Sequence, residues 1–245
     1  MKNKYEFQEI KKKNLILIFI LLVCYFAVGN IISLLYTAFF GQELSVIQKE
    51  IIVWGIDIAT TIILIISLKS FIAESFLDLK DKGIKSLLKW ILIGYLLQFF
   101  LSVVGYGITV AIVLISGVKL SFSNQTALTA MLGSSYILNF ISMVIIAPFI
   151  EELFFRVFIF SILKNKKIIL AIFLSSLLFG LGHVFREIIN KEFVEAGITM
   201  ITYAFSGVGL AVLYAKRKNF LVPMIVHMIW NLTSFALILL KNLII

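Results

Sequence analysis

An all-α, polytopic membrane helical bundle is the fold class that this 245-residue sequence predicts, and three observations carry that reading. Hydrophobic residues make up 61% of the chain and charged residues 14%, where a soluble domain has about 25% charged residues. Apolar runs long enough to cross a bilayer recur along the whole chain, and the mean hydropathy is +1.08. The runs are continuous, without the period-2 alternation of a barrel strand. In hydrocarbon every backbone amide must find an internal partner, so continuous runs mean helices.

Seven spans are expected, at roughly 15–40, 51–72, 89–117, 136–162, 168–185, 197–215 and 220–240. The third is long enough to tilt or to extend out of the membrane. Segment 121–133 is read as a short interfacial helix, and a total of eight spans is the alternative count. Lys and Arg set the orientation. With the N-terminus cytoplasmic, sixteen of the 22 basic residues fall on inside segments, five on outside segments, and Arg156 lies within a span. The net charge of +9 therefore reads as a topology signal at the ends of apolar runs, and nucleic acid is excluded as a partner. Cys24, the single cysteine, lies in the first span and allows no internal disulfide. The run from Leu15 is too long for a signal-peptide core, so a cleaved leader is not expected. No linker divides the chain. It is treated as N-terminal transmembrane helices over 1–130 and a core over 131–240 that carries the polar groups.

Charged residues at mid-membrane cost about 2.5–3.5 kcal/mol each, so each needs a reason. The fourth span holds Glu151, Glu152 and Arg156. On a helix Glu152 and Arg156 are four apart and share a face, so they can pair. Glu151 is rotated by about 100° from Glu152 and is expected to point elsewhere, toward a cavity. The two histidines, His183 and His227, both fall within apolar spans. Asn231 follows His227 by one turn and projects from the same face. At 1.5 Å per residue from the inner span ends, Glu151 lies about 18 Å deep, His183 about 22 Å, His227 about 10 Å and Asn231 about 16 Å. Helices running in different directions thus bring these groups to overlapping depths, which argues for one site. Pro148 and Pro223 are expected to kink their helices and free a carbonyl near the polar groups. Asn30, Asp57, Gln98 and Asn139 form no motif and are read as helix–helix hydrogen bonding. Gly207 and Gly209 suggest close packing, and Glu187, Glu192 and Glu195 are read as a solvated loop.

A carboxylate near a neutral histidine can hold and deprotonate water, making a nucleophile without a covalent intermediate. Side-chain donors on one face, His227 and Asn231, can stabilise the oxyanion of a tetrahedral intermediate. Peptide-bond hydrolysis is the reaction class that uses all the parts. Glutamate with two histidines is also a zinc ligand set. Here the histidines lie on different helices and no H-E-x-x-H is present, so zinc is the lesser reading and no cofactor is expected.

The sequence resembles the CPBP family, also called the Abi or CAAX-protease-type intramembrane endopeptidases. That family's pattern of E-E-x-x-x-R, F-x-x-x-H and H-x-x-x-N/D appears in order as Glu151-Glu152-Leu-Phe-Phe-Arg156, Phe179-Gly-Leu-Gly-His183 and His227-Met-Ile-Trp-Asn231. The match covers about 136–235. The resemblance implies a glutamate-dependent protease in which Glu151 activates water with His183, His227 and Asn231 form the oxyanion hole, and Glu152 and Arg156 support the site. Some relatives were described as metalloproteases, and others act in bacteriocin immunity or as scaffolds. The expected function is an intramembrane endopeptidase acting on a peptide or membrane-protein substrate. The alternative is a non-enzymatic immunity or scaffold protein of the same fold. A small transporter using the carboxylates is a third reading, weakened by the lack of inverted repeats. Usage rich in Ile, Lys and Asn suggests a bacterial plasma membrane.

Overall fold

The structure is a computed structural model that describes residues 10–118, 136–163 and 167–244. Among these residues there are nine helices and no strand. They are α1 (Lys12–Phe40), α2 (Val46–Ser67), α3 (Lys69–Lys82), α4 (Ile84–Ser116), α5 (136–163), α6 (Ile168–His183), α7 (Phe185–Ile189), α8 (Phe193–Arg217) and α9 (Leu221–Ile244). Five of them, α1, α2, α4, α8 and α9, are long and apolar enough to cross a membrane. The protein is a multi-pass membrane protein. The expected interfacial helix at 121–133 and the boundary at residue 130 lie outside the described residues, as does the side chain of Asn30.

Local chemistry explains the breaks. The α1–α2 turn leaves Gly41 in the left-handed region at φ 65°, and Ser45 and Gln48 close a capping box on α2. Gly83, at φ 77°, separates α3 from α4. The segment 73–88, between the second and third expected spans, is mostly the helix α3. Its Asp78 and Lys82 pair at 2.7 Å one turn apart, and Phe71 and Ser75 are buried. Asn219 ties it to the bundle, donating to the Ser75 carbonyl and the Asp78 carboxylate while accepting from the Leu221 amide.

Helix α8 is the axis of the bundle and packs against both α4 and α6. Small residues permit the approach. A methyl on Gly105 would lie 2.7 Å from Phe205 Cβ, and one on Gly209 would lie 2.9 Å from Gln98 Cα. The α4–α8 seam is polar: Gln98 donates to Ser206 Oγ, and Thr109 meets Thr202 Oγ1 and the Ile198 carbonyl. Outward faces are aliphatic, as at Ile115 (88% exposed) and Ile169 (80%), which suits a hydrocarbon solvent.

Three expectations are corrected. Pro223 stands in the first turn of α9, where a helix amide has no partner to lose, so it frees no carbonyl beside His227. Glu187 is buried in α7 rather than solvated, and Glu195 lies in the first turn of α8. Only Glu192 of that trio is exposed.

Candidate active site

Helix α5 changes winding twice. Ser142–Ile146 and Glu152–Phe158 are π-helical, between α-helical turns. The first change has a local cause. The Ala147 amide returns to the Ser142 carbonyl rather than to Met143, and Pro148 has no amide to offer. The Met143 carbonyl therefore loses both of its possible helical partners. The side-chain amide of Asn231, from α9, donates to it at 2.9 Å.

The second π segment begins at Glu152. Glu152 and Arg156 are both fully buried, with Arg156 Nε 3.3 Å from Glu152 Oε2. Arg156 also donates to the Gly207 carbonyl at 3.3 Å and lies over the Phe179 ring at 4.5 Å. Its charge thus meets a carboxylate, a carbonyl and an aromatic face, which together offset part of the cost of burying a guanidinium.

His227 joins the two glutamates. Its Nδ1 lies 3.0 Å from Glu152 Oε1, and its Nε2 lies 3.8 Å from Glu151 Oε2. A carboxylate can only accept, so Nδ1 carries the proton in that bond. Glu151 therefore does not point away from Glu152's surroundings. One imidazole, with nitrogens on opposite edges, reaches both. The glutamates remain unequal: the Glu152 side chain is 0% exposed and that of Glu151 18%.

Phe179 links the second histidine to this group. Its ring centroid is 4.3 Å from that of His183, 5.6 Å from that of His227 and 5.5 Å from that of Phe155. His183 Nδ1 bonds the Phe179 carbonyl at 2.8 Å, and its ring stacks on Tyr203 of α8 at 4.6 Å. Gly207 is what lets Phe179 sit there, since a methyl on it would lie 3.1 Å from that ring. Glu151, Glu152, Arg156, His183 and His227 are thus joined by ion pairs and ring contacts, with Asn231 one turn from His227 and held by α5.

Sequence reading missed Tyr203, whose only signal is its position one turn before Gly207 on α8. It also missed the joining of the N-terminal helices to α5. Trp54 donates to Asn139 Oδ1, and Ser142 Oγ donates to Asp57. No group of three or more His, Cys, Asp or Glu side chains among the described residues is disposed to hold a metal ion. A cavity of about 340 Å³ is walled by Phe154 and Phe155 of α5, Leu22 and Phe26 of α1, and Leu181 and Gly182 of α6.

Residues 133–233 match the family described as Type II CAAX prenyl endopeptidase Rce1-like. The chain is also similar to two Lactococcus lactis proteins. It is 30% identical over 186 residues to UPF0177 protein YvdC, taking in 73% of this chain and 66% of that one, just under two thirds of its length. It is 33% identical over 142 residues to UPF0177 protein YxdF, taking in 55% of this chain and 69% of that one. No solved structure matches it. With all three polar motifs inside the matched segment, the chain belongs to the CPBP family of CAAX-type membrane proteases.

Proposed function

We propose that this protein is an intramembrane endopeptidase that hydrolyses a peptide or membrane-protein substrate in a bacterial plasma membrane, with α5 and α6 as the fourth and fifth of seven spans and a cytoplasmic N-terminus. The observation that carries the reading is the division of labour between adjacent glutamates. Glu152 is fully buried and committed to Arg156 and His227, whereas the Glu151 side chain keeps 18% exposure and lies 3.8 Å from the His227 Nε2, beyond hydrogen-bond reach. A carboxylate oxygen in that position can take a proton from water.

In this reading water bound at Glu151, with His183 as its second partner, attacks the scissile carbonyl carbon while its proton passes to the carboxylate. Glu152 fixes His227 through Nδ1, so Nε2 faces the reacting side. Protonated there, His227 and the second N–H of the Asn231 amide donate to the developing oxyanion. Collapse of the tetrahedral intermediate breaks the C–N bond, and the proton held by Glu151 leaves on the amine. Arg156 offsets the charge of the two carboxylates in a medium where unpaired charge is costly. The apolar cavity beside Phe155 suits a side chain arriving from the bilayer.

The test uses the full chain in proteoliposomes with a library of quenched fluorogenic peptides carrying acyl anchors. The wild type is expected to cleave a subset of them. Glu151→Ala and His183→Ala, inserted to the wild-type level, are expected to lose that cleavage. Retained activity in Glu151→Ala overturns the proposal and favours a scaffold or immunity role.

A further inference from the structure

We infer that Asp57, on a helix outside the family-matched segment, is a positioning residue for this site, acting through Ser142 and Met143 on Asn231. The inference rests on the hydrolytic reading above. Asp57 lies within the membrane-spanning part of α2 and is 3% exposed, so its carboxylate needs donors from protein. It has two. Ser142 Oγ, at the start of the first π turn of α5, donates to Asp57 Oδ2, and the Tyr25 hydroxyl of α1 is bonded to the same carboxylate.

The Ser142 bond, like that of Thr109, leaves its own helix. The hydroxyls of Ser176, Thr199, Thr233 and Ser234 turn back to the carbonyl one turn earlier on their own helices. Such bonding is the ordinary resort of a hydroxyl in an apolar helix. Ser142 instead crosses to α2. Its own carbonyl receives the Ala147 amide that closes the π turn. Asp57 therefore pins the residue on which the altered winding begins. The next carbonyl along, that of Met143, is the one that holds Asn231.

A chain of contacts thus runs from Tyr25 and Asp57, through Ser142 and the π turn, to the Asn231 amide. Tyr25 extends it to the glutamate segment, its ring meeting Phe154 edge-on at 6.0 Å. If the π turn relaxed to α-helical winding, the Ala147 amide would return to Met143 and compete with Asn231 for its carbonyl. Holding that turn costs one buried carboxylate, which explains why an aspartate stands in α2 at all.

A double-mutant cycle in the proteoliposome assay tests this, using the library peptide that the wild type cleaves fastest. Asp57→Ala is expected to lower kcat by about 10- to 100-fold, with KM changed by less than about threefold, as for misplacement of a group acting on the transition state. Asp57→Asn, which keeps an acceptor for Ser142, is expected to recover activity to within about fivefold of wild type. In the Asn231→Ala background, adding Asp57→Ala is expected to cost less than about a further twofold, because the two act through one group. Ser142→Ala supplies a milder variant with the same expected non-additivity should Asp57→Ala fail to insert. Fully additive losses, or wild-type kcat in Asp57→Ala, overturn the inference. Glu151→Ala is measured alongside. If that variant cleaves like wild type, the hydrolytic reading itself fails. If it is inactive while the cycle is additive, only the role of Asp57 does.

Discussion

The side-chain amide of Asn231 donates at 2.9 Å to the backbone carbonyl of Met143, a carbonyl left without a helical partner because Pro148 lacks an amide and the Ala147 amide has moved to Ser142. One proline thus prepares the seat of one site residue. Pro148→Ala restores an N–H five residues after Met143, in position to take the carbonyl within the π turn. Asn231 then loses its anchor. The expected outcome is a kcat reduced by about tenfold with thermal stability equal to or above that of the wild type, read by peptide cleavage and by melting in detergent.

Arg156 is the only cation joined to Glu152 and the Gly207 carbonyl among the described contacts, and all of it is buried. Replacing it by Leu leaves a buried carboxylate without its charge partner. A loss of about 3–5 kcal/mol is expected, visible as a lowered melting temperature or reduced accumulation. Arg156→Lys keeps the charge but cannot meet the carboxylate, the carbonyl and the Phe179 face with one planar group. It is expected to accumulate better than Arg156→Leu and still to cleave poorly.

Glycines separate packing from chemistry. Added methyls would lie 3.1 Å from the Phe179 ring at Gly207 but meet nothing within 4 Å at Gly107. Gly207→Ala is expected to push Phe179 against the two histidines and to lower cleavage by about tenfold. Gly107→Ala, in the interior of α4, is expected to leave cleavage unchanged and to add about 0.5–1 kcal/mol of stability.

Metal dependence is open to a direct test. The carboxylate best placed to accompany a histidine on zinc, Glu152, is already engaged by Arg156 and His227. Incubation with a strong chelator followed by dialysis is therefore expected to leave peptide cleavage intact. Loss on chelation with recovery on adding zinc would contradict that expectation.

Much of this arrangement was legible in sequence because it depends on short spacings. Continuous apolar runs without alternation can only be helices in a bilayer, and Glu152 and Arg156 four apart do pair. Other features depend on winding or on distant partners. The π turns carry little sequence signal beyond Pro148, and they change which carbonyls are free. Asp57 and Ser142 are 85 residues apart, so neither suggests the other. Helix α3 was hidden by its charges, since a polar connector reads alike whether it coils or winds. Pro223 misled because its effect depends on a helix start that periodicity locates only to within a few residues.

The central claim is that Glu151 performs hydrolysis within the membrane. Its most direct test is a comparison of the peptides in membranes of cells expressing the wild-type chain or Glu151→Ala at equal levels. The account predicts at least one fragment present with the wild type and absent with the variant, its uncleaved precursor accumulating in step. Identical peptide profiles, together with an unchanged cellular phenotype, would contradict it.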